Sequence, residues 1–237
     1  LNQKFESSWE VVKFPAVAIE DEMYRKEGEA LWADFFTSDI LKETREDIGP
    51  YEWSALYQQE PIMSENQEFH KHWFKERDAE EVAKKRTRNF LTIDTAISEK
   101  ASADNTGICD NSVDSDNYWY LRAWKVKINP KELIDLLFTL HKKRSYEKIG
   151  IEKTIYLQAI KPFLDEEMRI RNKFLPIVEL QHNQTAKEIR IRGLIPRYNS
   201  GSVYHIKGEC RDLEYELLRF PLGVTDDIAD ATAYQSQ

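Results

Sequence analysis

Cysteine is nearly missing from this chain: Cys109 and Cys210 are the only two among 237 residues. Two thiols so far apart supply neither a disulfide framework nor a zinc-ligand spacing, and a reducing, intracellular setting fits them best. No apolar run approaches about 18 residues, which excludes a membrane-spanning helix. The polar first residues predict no signal peptide, so the glycosylation-like Asn183-Gln184-Thr185 carries no meaning. A Gly-x-x-x-x-Gly-Lys-Ser/Thr phosphate-binding loop is absent throughout. Positive charge is not in surplus either. The net charge of −8 argues against a protein that coats nucleic acid by bulk charge, although local basic patches can coexist with carboxylate clusters.

The length of 237 residues suits one large domain, or one domain with an appended segment. The 41% of hydrophobic and 12% of aromatic residues can bury a sizeable core. Residues 1–75 are acidic and rich in aromatics (Trp9, Tyr24, Trp32, Tyr51, Trp53, Tyr57), which read as packing anchors. Helices are predicted over 21–33 and 38–47, the second ending before Gly49-Pro50, and no alternation is long enough for a strand. Residues 75–88 are almost wholly charged and read as a solvated helix or linker.

From Asn89 onward the pattern alternates. Phe90-Leu91-Thr92-Ile93-Asp94 predicts a buried strand tipped by an acid. Strands follow over 105–113 and 118–126, joined by the turn Asp114-Ser115-Asp116-Asn117. Pro130 opens an amphipathic helix bearing Leu133, Ile134, Leu137, Phe138 and Leu140. Lys148-Ile149-Gly150-Ile151-Glu152 is a second short strand ending in an acid, and Thr154 is placed to start the next helix. A strand over 176–180, a basic segment, a strand over 202–206 and a helix over 208–218 lead to the acidic tail. Hairpin-linked strands followed by βα units predict an α/β fold, a mixed sheet with helices on its faces.

Three groups of acids stand out. Asp94 and Glu152 each end a strand, and Thr225 is placed to cap a tail helix whose first turn carries Asp226, Asp227 and Asp230. Three carboxylates near one helix face repel one another unless a cation sits among them. The other face (Ile228, Ala231, Ala233) is small and apolar, as if packed on a sheet. In open α/β sheets, sites form beyond the carboxyl ends of strands, where these distant acids can converge. Hard divalent cations such as Mg²⁺ take carboxylates, water and substrate phosphate. Two such ions can serve phosphodiester hydrolysis with no His, Cys or Ser nucleophile. The five histidines (His70, His72, His141, His182, His205) show no metal-ligand spacing on one helix.

The ordered motifs resemble the nuclease domain of tailed-phage terminase large subunits, the DNA-packaging motors. They are Trp53-x-x-x-Tyr57-Gln58-Gln59-x-Pro61, Ile93-Asp94-x-Ala96 with Lys100, Asp104 and Thr106, and Gly150-Ile151-Glu152. Lys187-x-x-Arg190-Ile191 and Phe220-Pro221-x-Gly223-x-x-Asp226-Asp227-x-x-Asp230-Ala231 complete the set, and Trp9-Glu10-Val11 to Pro15-Ala16 resembles the stretch leaving the ATPase domain. The resemblance implies an RNase H-like mixed sheet flanked by helices on both faces. It also implies metal-dependent cutting of double-stranded DNA with Mg²⁺ or Mn²⁺, two ions being expected. It places metal ligands on Asp94, Glu152, Asp226, Asp227 and Asp230, with Asp94, Glu152 and Asp227 catalytic. Asp227 and Asp230 are similar to the acid pair of junction resolvases. The implied partners are an ATPase domain of the same protein, a portal protein and a small terminase subunit, in the bacterial host cytoplasm at the procapsid portal. Residues 1–75 are then the connection to an absent ATPase domain, and 76–237 the nuclease.

The span from Arg169 to Arg197 carries seven basic residues against Glu179 and Glu188. Its Lys187, Arg190 and Arg192 are the candidates to meet DNA phosphates without reading bases. Asp110-Asn111-x-x-Asp114-x-Asp116 hints at a calcium loop but lacks the glycine and the terminal Glu, so a hairpin turn is expected. Two other readings stand beside the nuclease: a resolvase or transposase of the same fold, and a non-catalytic docking domain.

Overall fold

The computed structural model describes residues 12–60, 67–95, 105–181, 186–223 and 225–236. Several sequence features lie outside the described residues: Trp9-Glu10-Val11, Pro61, Ala96, Lys100, Asp104, His182 and Asn183-Gln184-Thr185. The chain forms two compact units, Leu1–Met63 and Ser64–Gln237.

In the first unit one helix, α1 (Ser38–Leu56), is capped by the Thr37 hydroxyl, which accepts from the Ile40 amide. It runs through Gly49-Pro50, beyond the predicted end, so these two helix breakers do not terminate it. The helix expected over 21–33 does not form. Gly28, at a φ of +85°, lets the chain turn back, so that Val17 and Ala30 form an antiparallel bridge. Trp53 and Tyr57 stack at 4.8 Å between ring centroids. The Gln58 side chain accepts from the Val17 amide at 3.1 Å and donates to the Val17 carbonyl at 3.0 Å. Part of the Trp-x-x-x-Tyr-Gln-Gln motif therefore clamps this unit's own backbone.

The second unit is built on seven strands: β1 (Lys75–Arg77), β2 (Arg88–Thr95), β3 (Asn105–Val113), β4 (Trp119–Lys127), β5 (Lys148–Glu152), β6 (Ile177–Leu180) and β7 (Val203–Ile206). Their order across the sheet is β1-β7-β4-β3-β2-β5-β6. Only β3 runs against its neighbours; every other pairing is parallel. The β4-β3-β2-β5-β6 portion, with its second strand alone reversed, is the RNase H-like arrangement. The stretch 75–88, read as solvated helix or linker, contains the short, largely exposed helix α2 (Ala79–Ala83) and, unexpectedly, edge strand β1. All three β1 side chains are exposed, so the strand is held by backbone pairing and leaves no apolar periodicity in the sequence.

Helices cover both faces. On one, α3 (Pro130–Arg144) and α4 (Ile155–Ile170) pack Leu133, Leu137, Leu157 and Ile160 onto Leu91, Ile93, Ile108, Ile149 and Ile151. Asn129 and Glu132 form a capping box at the start of α3, and Thr154 caps α4. The opposite face receives α5 (Lys187–Arg192), α6 (Ile195–Asn199), α7 (Arg211–Arg219) and α8 (Asp227–Ala233) over Cys109, Leu121 and Ala123. Asp114 to Asn117 is the expected β3–β4 turn, with Asp114 Oδ1 accepting from the amides of Asp116 and Tyr118. Asp110 is buried in β3 beside Arg144. No described helix is long and apolar enough to cross a membrane.

Candidate metal centre

Strand alternation sets the site. Leu91 and Ile93 of β2 face α3 and α4, so Thr92 and Asp94 face the other way. Ile93 is in register with Ile151 of β5, which puts Asp94 and Glu152 side by side on that second face, at the carboxyl ends of adjacent parallel strands. Helix α8 lies across the same face, its apolar residues buried. The Thr92 hydroxyl donates to the Ala231 carbonyl at 2.6 Å, fixing the helix to the strand that bears Asp94.

Two features bring α8 close enough to complete the group. Gly107 of β3 sits directly beneath its first turn: a Cβ there would lie 2.4 Å from the Asp227 carbonyl oxygen. Glu216 of α7, 2% exposed, accepts at Oε2 from the amides of Ile228 and Ala229, each at 2.9 Å. This buried carboxylate does the work expected of Thr225. Asp226 takes the N-cap position without a side-chain cap bond, while the Thr225 hydroxyl donates to Glu216. A carboxylate outcompetes a hydroxyl at the otherwise unpaired amides of a helix start because its full charge also meets the helix dipole. Lys125 holds Glu216 at 2.9 Å and reaches Asp227 at 4.0 Å.

Asp94, Glu152 and Asp230 each bring one carboxylate oxygen to within 4.8 Å of the others, and all three residues are buried. Burial, followed by the hydrogen bond with Glu152, pushes the Asp94 carboxyl up to about 8 against the pull of Lys187. Burial also raises Asp230, while Arg190 draws it down. Such crowding is costly without positive charge. Arg190 supplies part of it: its guanidinium donates to both Asp230 oxygens at 3.0 and 2.6 Å and lies 4.8 Å over the Tyr234 ring. The Tyr234 hydroxyl donates to Glu152 Oε1 at 2.9 Å.

The remaining acids of the tail stand beside this group of three rather than in it. Asp226 and Asp227 meet the Lys187 ammonium at 2.8 and 3.5 Å, and that ammonium also lies 3.5 Å from Asp94 and 3.9 Å from Asp230. Of the basic candidates, Lys187 and Arg190 are therefore drawn into the acid group. Arg192 pairs with Glu68 at 2.8 Å and Glu188 at 3.2 Å. Elsewhere in the basic span, Arg169 pairs with Glu166 and Arg171 with Asp135 and Glu167.

Three buried oxygen donors, steered by Tyr234 and Arg190, match the demands of a hard divalent cation. Glu216, Lys125 and Tyr234 did not emerge from the sequence. Glu216 leaves one trace, since it occupies a core position in the 213, 216, 217, 220 pattern of α7, where an acid must find buried partners. Tyr234 leaves none.

No protein-family model matches the chain, and no curated protein proves similar to it. Among solved structures, the crystal structure of the HK97 bacteriophage large terminase is similar, with a TM-score of 0.46 and 8% identity. The match covers 77% of this chain and 42% of the HK97 chain, so the protein described here spans less than half the length of that terminase.

Proposed function

We propose that the Ser64–Gln237 unit is a metal-dependent endonuclease that hydrolyses phosphodiester bonds of double-stranded DNA during viral genome packaging. One observation carries this reading: the approach of Asp94, Glu152 and Asp230 to within 4.8 Å on one face of an RNase H-like sheet. The resemblance of the ordered motifs to those of terminase nuclease domains supports it from the sequence. Asp94, Glu152 and Asp230 hold the cation, Mg²⁺ or Mn²⁺, and Asp226 and Asp227 at the rim extend the set to a second ion. A bound divalent ion supplies Lewis-acid polarisation of a phosphoryl oxygen and a water of lowered pKa.

The chain's own groups do the rest. Tyr234 orients Glu152 through its hydroxyl, and Arg190 fixes both oxygens of Asp230. Asp227, between Lys125 and Lys187, is the catalytic acid nearest solvent. Lys187 and Arg192 meet backbone phosphates by exchanging their carboxylate partners, with Arg190 behind them as a positioning residue. The Leu1–Met63 unit carries the connection to an ATPase domain. Portal protein and small terminase subunit are the further partners, in the host cytoplasm.

Plasmid nicking tests the proposal. Cleavage is expected with Mg²⁺ or Mn²⁺, none with EDTA, and none from Asp94→Asn or Asp230→Asn proteins that remain folded. Equal cleavage by the Asp94→Asn protein would refute it.

A further inference from the structure

A single ammonium sits where four acids meet. Lys187 Nζ lies 2.8 Å from Asp226, 3.5 Å from Asp94, 3.5 Å from Asp227 and 3.9 Å from Asp230. Two of these, Asp94 and Asp230, also bring oxygens into the three-carboxylate group. An ion bonded to either acid lies no further from the ammonium than the width of one carboxylate and its two contacts. In a buried setting like charges at that range repel strongly, and one carboxylate cannot satisfy both at full strength.

We infer that Lys187 is an internal competitor of the divalent ion, holding the same carboxylates, and that metal uptake expels its ammonium to the rim of the site. The inference rests on the metal-centre reading proposed above. The side chain is built for such a movement. Its flexible four-carbon stem springs from the first residue of α5 and is 33% exposed. Arg190, one turn on, is bidentate to Asp230 with a side chain only 6% exposed, so it stays while Lys187 leaves. The two cations thus differ in kind: Arg190 is a fixed counter-charge, whereas Lys187 is a movable one. At the rim the released ammonium meets a phosphate drawn to the ion, which couples metal loading to substrate binding.

Two measurements on the whole chain test this, both independent of cleavage. Calorimetric titration with Mn²⁺ compares the wild-type protein with Lys187→Met, which keeps the stem and removes the charge. The variant is expected to bind Mn²⁺ about tenfold more tightly, since removing a like charge favours the cation. Reductive methylation followed by peptide mass spectrometry reads the wild-type side chain directly. Lys187 labelling is expected to accelerate several-fold on Mn²⁺ addition, while that of exposed Lys161 stays constant. Unchanged or weaker Mn²⁺ binding by the variant would overturn the inference. So would Lys187 labelling that Mn²⁺ leaves unchanged, a result that stands even where the variant folds poorly. Absence of Mn²⁺ binding by both proteins would instead remove the metal centre itself, and this inference with it.

Discussion

The bare Cα of Gly107 supports the first turn of α8, with the Asp227 carbonyl oxygen only 2.4 Å from where a Cβ would stand. Both sides of that contact are backbone, so neither can yield by a rotamer change. Gly107→Ala is expected to lower stability by about 1–3 kcal/mol, the usual cost of overfilling a packed contact. It is also expected to shift Asp230 away from Asp94. Urea denaturation and Mn²⁺ titration measure the two effects, and a variant as stable as wild type with unaltered Mn²⁺ affinity would show that α8 does not depend on this approach.

Arg190 and Asp230 are both almost wholly enclosed. Replacing Arg190 by Met leaves a buried carboxylate beside Glu152 and Asp94 with its strongest counter-charge gone. The expected loss is about 3–5 kcal/mol, as for other broken buried pairs. The double variant Arg190→Met, Asp230→Leu is expected to recover much of it. Guanidinium unfolding curves of the three proteins check both statements.

The raised Asp94 carboxyl, about 8 against an ordinary 3.8, makes stability depend on pH. Between those values the folded protein holds a proton that the unfolded chain has lost, so this group's contribution to stability falls as pH rises. It is full below about pH 4 and exhausted above about pH 8. In EDTA, the wild-type melting temperature relative to that of Asp94→Asn is expected to decline across that window and level off above it. Mn²⁺ affinity should run the opposite way, strengthening as pH rises, because the cation takes the ionised acid. A difference in melting temperature that is flat from pH 5 to pH 8 would contradict the assignment.

Arg192 tests the proposed contact with DNA. Its partners Glu68 and Glu188 are partly exposed, so exchange for a phosphate costs little. Arg192→Ala is expected to weaken binding on all duplex sequences alike and to reduce the salt slope by about one. Fluorescence anisotropy at several salt concentrations with two unrelated duplexes measures this. Weakening confined to one duplex would mean that the residue reads sequence.

The sequence shows most of the sheet because β2 and β5 are short apolar runs, each closed by an acid, and strand parity then fixes where Asp94 and Glu152 point. It shows α3 and α4 through their caps and apolar spacing. It does not distinguish Asp230 from Asp226 and Asp227. That choice depends on how α8 is seated by Gly107 and by Glu216, residues about 120 and 11 positions earlier in the chain. The basic side chains were equally illegible, since charge counting cannot tell a solvated Arg192 from an Arg190 enclosed against an acid. Strand β1 escaped because its side chains all face solvent, and the turn at Gly28 displaced a helix that composition alone favoured.

The hydrogen bond from Thr92 to Ala231 joins residues 139 positions apart, and it imposes an order of assembly. A seven-residue helix does not persist alone in water, so α8 forms only on a surface already present. That surface is made of β2, β3 and β4, whose strands must first find one another. Asp94 and Glu152 are thus brought together by sheet pairing, whereas Asp230 arrives with α8 and its guanidinium partner Arg190 with α5. Until α8 is seated, the chain holds only two of the three acids together. The three-acid group is complete only when folding is finished.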